Sequence, residues 1–335
     1  MQNLTQKSVD NHPIKAPSTR IKAGGGKTDI RQEITDEIIE MLESGDVDFN
    51  LGFDFTDGLP VNASTGVNYT GVNIFKLSME KKKMGYLRNK WLTFKQAQEM
   101  GGFVRKGECG VRAVKYGRYE DKKQGSGQKL LGNNFGSSTD LLVIGDDDAK
   151  SNSRTFINSF VLFNVAQIDG IEWNFAENKV IEVDVIDSLI RSLNIRLECN
   201  EKAPFFSVAH DYISMPPRAF FETTEFYYAS LLHEVAHWTG HKSRLDRNFD
   251  KRFETNAYAF EELVAELGAA MLGGLFGIYK PIAKNHAGYI AHWIEILKGD
   301  KGAFITAASK AWEATDFIQS ELLKIIDTNS VLFLD

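Results

Sequence analysis

Tyr227–His241 reads YYASLLHEVAHWTGH and contains His233-Glu234-Val235-Ala236-His237 inside a run of helix-forming residues. Residues four apart on an α-helix stack on one face, so the imidazoles of His233 and His237 can converge on one cation. Glu234 projects beside them, toward a water that the cation would polarise. Ala229, Leu231, Leu232, Val235, Ala236 and Trp238 surround the pair, and no Gly or Pro interrupts the run before Gly240. The helix is therefore expected to be buried on most sides. Two imidazoles and a carboxylate facing a core carry a desolvation cost unless a metal uses them.

A catalytic zinc needs a third protein ligand and one open position. His241 lies eight residues beyond His233, about 12 Å along a continuous helix, and is too far unless Gly240 bends the chain sharply. The second source is Ala257–Leu272, AYAFEELVAELGAAML, where Glu262 and Glu266 stack at i and i+4 with Tyr258 one turn earlier. Leu263, Val264, Leu267, Ala269, Ala270 and Met271 make this segment too apolar for a solvated face. Glu262 as ligand, with Glu266 accepting from His233 behind it, is the preferred arrangement. Glu261 is the remaining candidate.

The 335 residues suffice for two domains with sizeable cores. No stretch approaches the roughly 18 apolar residues of a membrane span. The opening MQNLTQKSVDNHPIK lacks the apolar core of a signal peptide, so a cytoplasmic location without membrane contact is expected. Cys109 and Cys199 are the only cysteines, too few for a disulfide framework or a cysteine-based zinc site.

Charge is unevenly spread. The chain carries a net −6, yet Phe75–Lys106 holds nine Lys and Arg against Glu80 and Glu99. The cations, Lys76, Lys81, Lys82, Lys83, Arg88, Lys90, Lys95, Arg105 and Lys106, interleave with Phe75, Tyr86, Trp91, Phe94 and Phe103. Phosphate neutralisation combined with flat apolar surfaces suits unpaired nucleic acid strands. Tyr86 and Trp91 join the nine cations in the expected DNA-binding set.

Along the chain, residues 1–27 are polar with Pro13, Pro17 and Gly24-Gly25-Gly26, and read as a flexible tail. A helix follows from Asp29, with Ile30, Ile34, Ile38 and Leu42 in one stripe. The segment from Val61 reads as a turn, a helix from Val72, a basic loop, a helix capped by Thr93 and Gln96, and a strand from Val111. Residues 117–155 form a polar insert, a hairpin extension leading to a strand near Phe156. In the second half a helix over Val183–Leu193 precedes short strands near Arg196, Phe205 and Tyr212–Met215, and helices start at Thr224, Asn256, Asn285 and about Gly302. A strand just ahead of an HExxH helix offers an edge to which an extended peptide can add.

Six segments in order, TGVNYTGVN (Thr65–Asn73), WLTFKQAQEMGGFVRKGE (Trp91–Glu108), VLFNVAQIDGI (Val161–Ile171), DYISMP (Asp211–Pro216), YYASLLHEVAHWTGHKSRLDR (Tyr227–Arg247) and YAFEELVAELGAAML (Tyr258–Leu272), resemble the ArdC-type antirestriction proteins of conjugative plasmids. The resemblance implies an α+β protein of two domains. Residues 28–170 would be a single-stranded-DNA-binding domain and residues 171–335 a zincin-like, gluzincin-type metallopeptidase domain. It implies one Zn2+ per chain on His233, His237 and a Glu of the EELVAE stretch, with Glu234 as general base. Tyr258 or another His of this half is the candidate for steadying an oxyanion. The implied role is protection of incoming plasmid DNA during transfer, with single-stranded DNA and a protein substrate of unstated identity as partners. Two other classes fit the same residues: a DNA-coating protein with a structural zinc, and a cytoplasmic metalloprotease independent of DNA. The chain departs from the family pattern mainly at Ile74-Phe75-Lys76 and in the insert.

Overall fold

The computed structural model describes residues 29–43, 53–120, 141–144, 153–175, 183–200, 202–247, 256–278 and 287–332. The expected tail and most of the polar insert lie outside these residues. Helix α1 (Ile30–Glu43) begins as its sequence requires. The Asp29 carboxylate accepts the Arg31 backbone N–H at 3.1 Å, and Ile30, Ile34 and Ile38 are buried on one face.

The strands in chain order are β1 (Val61–Asn62), β2 (Lys90–Leu92), β3 (Phe103–Val104), β4 (Val111–Glu120), β5 (Leu141–Ile144), β6 (Ser153–Asn164) and β7 (Ile168–Asp169). Strands β1-β2-β6-β4 form a sheet, β5 adds to β6, and β3 pairs separately with β7. The β4–β6 ladder runs antiparallel from Val111↔Leu162 to Glu120↔Ser153. Regular pairing therefore reaches further into the expected insert than its polar composition suggests. The insert also contributes β5, because Leu141-Leu142-Val143-Ile144 is an apolar, partly β-branched run that pairs with Thr155–Asn158.

Helix α2 (Val72–Met84) lies against β4 and is fixed there by one buried side chain. Asn73 Nδ2 donates to Val114 O at 2.8 Å while Val114 N donates to Asn73 Oδ1 at 2.9 Å, so one amide satisfies both groups of a strand residue. The short helix α3 (Phe94–Glu99) opens on the expected capping box of Thr93 and Gln96.

The second half begins with α4 (Val183–Ser192) and a small sheet of β8 (Leu197–Cys199), β9 (Phe205–Ser207) and β10 (Tyr212–Met215) in the order β8-β10-β9. The strand just ahead of the HExxH helix, β10, is central rather than the expected free edge, paired with β8 on one side and β9 on the other, so the edge is β9, antiparallel to it. Four helices follow: α5 (Thr224–Thr239), α6 (Asn256–Phe276), α7 (Ala287–Gly299) and α8 (Ala303–Leu332). Helices α5 and α6 approach closely where Gly268 faces Ala236, since a Cβ on Gly268 would sit 3.1 Å from the Ala236 Cβ. That approach brings the Glu-bearing face of α6 to the His-bearing face of α5.

One core crosses residue 170. Phe53, Phe55, Leu59, Val72, Ile74 and Phe75 pack in one cluster with Leu263, Val264, Leu267 and Met271 of α6 and Phe304, Ala307 and Ala308 of α8. Phe75 is edge-on to Phe53 at 4.8 Å and to Phe304 at 5.8 Å. A second core, including Phe206, Ile213, Leu231, Val235 and Phe276, lies wholly in the later half. No helix among the described residues is long and apolar enough to cross a membrane.

Candidate metal centre and nucleic-acid surface

Thr223 caps α5 by accepting the Phe226 N–H, and the helix carries His233, Glu234 and His237 into the core, where all three are buried. Helix α6 supplies three buried carboxylates opposite them, Glu261, Glu262 and Glu266. Glu262 lies between the imidazoles, with Oε2 at 3.5 Å from His233 Nε2 and Oε1 at 3.5 Å from His237 Nε2. One donor atom from each of His233, His237 and Glu262 fits within a 4.8 Å span. Bonds of 2.0–2.2 Å in tetrahedral geometry place donors roughly 3.3 Å apart, so these residues could hold a divalent cation with little movement.

The outer nitrogens also face carboxylates. Glu266 Oε1 is 3.5 Å from His233 Nδ1, and Glu261 Oε1 is 3.3 Å from His237 Nδ1. Glu261 hydrogen-bonds His237 Nδ1, whereas Glu266 acts on His233 through its charge; a carboxylate behind a neutral imidazole favours the tautomer whose Nε2 lone pair is free for a metal. Glu266 thus stands where the helical spacing places it. Glu261, a rival ligand on sequence grounds, serves instead behind His237. It is anchored by Arg247, whose Nη2 donates to Glu261 Oε1 at 2.9 Å and to Ala236 O at 2.6 Å, and whose Nη1 donates to Thr239 Oγ1 at 2.9 Å. Arg247 has no signal in the sequence, because the loop after Gly240 must turn back before its guanidinium can reach the helix it left. His241 is outside the donor group: its Nδ1 is 2.8 Å from Ser243 Oγ and 3.7 Å from Asp211 Oδ2. Tyr258 is half-buried one turn before Glu262.

Electrostatically the site calls for positive charge. Burial disfavours protonation of His237, yet the Glu261 and Glu262 carboxylates outweigh it and push its pKa up to about 10. His233 is likewise raised against its burial, by Glu266 and Glu262. Burial would raise Glu262, but the two imidazoles hold it well below the usual carboxylate range. Glu261 is held low despite burial by His237 and Arg247. Glu234 is raised, by burial, with the His pair opposing and a backbone hydrogen bond from Phe206 of β9 also lowering it. Protons meet this demand in part, and a divalent cation held by His233, His237 and Glu262 would meet it directly.

On the basic segment the structure divides the expected DNA-binding residues. Lys82, Lys83, Lys95, Arg105 and Lys106 are exposed, and Tyr86, Arg88 and Lys90 are half-buried. Lys76, Lys81 and Trp91, expected on this surface, are instead buried. Lys76 meets Glu33 and Glu37 of α1, and Lys81 meets Asp54 and Thr56. Trp91 is fully enclosed, its indole N–H donating to Asn89 Oδ1 at 2.8 Å. Phe75 belongs to the shared core. The acidic partners lie far away in sequence, so a count of lysines along the segment cannot separate these from the surface ones.

Residues 28–163 match the N-terminal domain of anti-restriction factor ArdC, and residues 184–310 match a zincin-like metallopeptidase domain. A Sinorhizobium fredii protein, the uncharacterized y4eC, is 32% identical over 303 residues, covering 88% of this chain and 92% of that one. The DNA primase TraC of Escherichia coli is 29% identical over 309 residues, but the chain spans only 20% of its length. The metal-free crystal structure of the antirestriction protein ArdC from plasmid R388 superposes with a TM-score of 0.70 at 31% identity, covering 89% of this chain and 99% of that one. Its Mn(II)-bound structure gives 0.68, also at 31% identity, over 88% and 98%. The chain belongs to the ArdC family of antirestriction proteins, with an ArdC N-terminal domain followed by a zincin-like metallopeptidase domain.

Proposed function

We propose that this protein binds single-stranded DNA without sequence preference through its N-terminal half and is a zinc-dependent peptidase through its C-terminal half, protecting incoming plasmid DNA from restriction. The convergence of His233, His237 and Glu262 beside Glu234 carries the reading. One Zn2+ per chain on those three ligands would supply Lewis acidity at a peptide carbonyl. Glu261 and Glu266 orient the two imidazoles from behind. Glu234, a buried acid with raised proton affinity, takes the proton of the attacking water and returns it to the leaving amine. Its hydrogen bond to Phe206 puts it beside the edge strand β9, along which an extended peptide would lie. Tyr258, four residues before Glu262 on α6, is the candidate for steadying the oxyanion.

The exposed Lys82, Lys83 and Lys106 support the DNA-binding half of the reading. The test is digestion of a peptide library by zinc-loaded protein with and without oligo-dT. Cleavage that Glu234→Gln abolishes, at unchanged zinc content, is the expected result. Absence of cleavage by the wild type under both conditions, with protection intact in Glu234→Gln, contradicts the peptidase.

A further inference from the structure

Two exposed loops of the N-terminal half rest on the same short stretch of chain, Asn164–Asp169. The first, residues 85–89, leaves α2 at Gly85, whose φ of 66° ends the helix, with Tyr86 N donating to Lys81 O at 3.0 Å. Tyr86 is edge-on to Trp91 at 5.8 Å, and Asn164 Nδ2 donates to Arg88 O at 2.8 Å. Asn89 N donates to Asp57 Oδ2 at 2.6 Å. With its neighbours fixed in this way, Leu87 is left 86% exposed, and Met84 is 45% exposed. The second loop, residues 103–107, is tied to the same stretch by the pair Phe103↔Asp169 and by Arg105 N donating to Gln167 O at 3.0 Å. Phe103 is 57% exposed, beside Gly170, whose φ of 87° suits glycine in the turn that follows Asp169. Both loops therefore present a large apolar side chain from a rigid base.

The charges around these tips are of two kinds. Arg105 is matched by Glu108 and Asp169 and also donates to Ala166 O, so it braces the second loop more than it attracts anions. Lys82, Lys83 and Lys106 are exposed and carry no ion pair among the described residues. Isolated exposed apolar residues are ordinary on protein surfaces. Apolar tips set among exposed lysines are the pattern of a surface for unpaired nucleotides, in which phosphates meet cations and bases meet side-chain faces.

We propose that the last turn of α2 with loop 85–89 and the segment 103–107 form one single-strand track, with Lys82, Lys83 and Lys106 on the phosphates and Phe103 and Leu87 against the bases. The inference rests on the DNA-binding reading above and assigns its base contacts. The test is the affinity of full-length protein for labelled oligo-dT across a salt series. Phe103→Ala weakens binding roughly five- to 150-fold with an unchanged salt slope, because stacking releases no counterions. Leu87→Ala acts in the same direction. Phe103→Trp keeps the flat ring and binds within about twofold of wild type. Each of Lys82→Ala, Lys83→Ala and Lys106→Ala instead lowers the slope by roughly 0.7. Exposed positions should leave the melting temperature unmoved, which separates lost contact from lost fold. Wild-type affinity in Phe103→Ala and Leu87→Ala, or equal losses in Phe103→Ala and Phe103→Trp, overturns the track while DNA binding stands. Wild-type protein that binds no oligo-dT at any salt overturns the DNA-binding reading itself.

Discussion

Replacing Phe75 by alanine should destabilise both halves of the protein together. Phe75 comes from the N-terminal half and is fully enclosed by Phe53 at 4.8 Å, Phe55 at 6.2 Å and Phe304 of α8 at 5.8 Å. Removing a buried phenylalanine costs about 3–5 kcal/mol, and the three tilted ring contacts place this site toward the upper end. The same cluster contains Leu263, Val264 and Leu267, which flank Glu262 and Glu266 on α6. Urea unfolding followed by hydrogen exchange in α5 and in β4 reads both halves at once. The expected result is a shared transition whose midpoint falls by on the order of 1 M in both elements. Separate transitions, with α5 unmoved by Phe75→Ala, would refute the shared core. The same reasoning bears on a peptidase that works without the N-terminal half. Deleting residues 1–170 strips Phe53, Phe55, Leu59 and Phe75 from α6 and α8. At about 1.5–3 kcal/mol each, that loss is comparable to the whole stability of a domain.

Other outcomes follow from the site. Arg247→Ala and Glu261→Gln should each weaken metal binding about 10- to 100-fold, measured by competition with a chelator, since each disturbs the support behind His237. Unchanged affinity in both would remove that role. In metal-free protein His237 has its pKa raised to about 10 from the ordinary 6.5, so the associated stability is complete below pH 6.5 and is lost as pH rises toward 10. Metal binding needs the neutral imidazole, so the thermal shift produced by zinc should grow over that same window, and a shift that shrinks as pH rises would contradict the assignment. Lys81→Ala should lower the melting temperature while leaving the salt slope of DNA binding unchanged, because Lys81 is buried against Asp54, whereas Lys82→Ala should do the reverse.

What could be read from the sequence follows the helical period. A four-residue spacing places His233 with His237 and Glu262 with Glu266 whatever the rest of the chain does, and the structure brings these four together. Glu261 was harder to place, since one residue is 100° of helix rotation, and only the position of α6 against α5 shows that this turns it to the back of His237. Arg247, Asp54 and Asp57 act through loops or across long sequence separations, which no local period encodes. The basic segment misleads for the same reason: Lys76 and Lys81 are cations inside a fold whose neutralising acids lie on α1 and before β1. Trp91 belongs to a buried strand, where an aromatic residue fits as well as it would on a DNA surface. The resemblance segments acquire physical meaning in the structure. Asn73 fixes α2 to β4, while Asn164 and Gln167 organise the loops that rest on them.

The most direct measurement is the metal content of purified wild type, His233→Ala and Glu262→Ala by elemental analysis, each protein also scored for oligo-dT binding. The account predicts one zinc per wild-type chain, lost in both variants while DNA binding persists. Wild type that holds no zinc after loading, or variants that keep it, would contradict the assignment of His233, His237 and Glu262 as a metal centre.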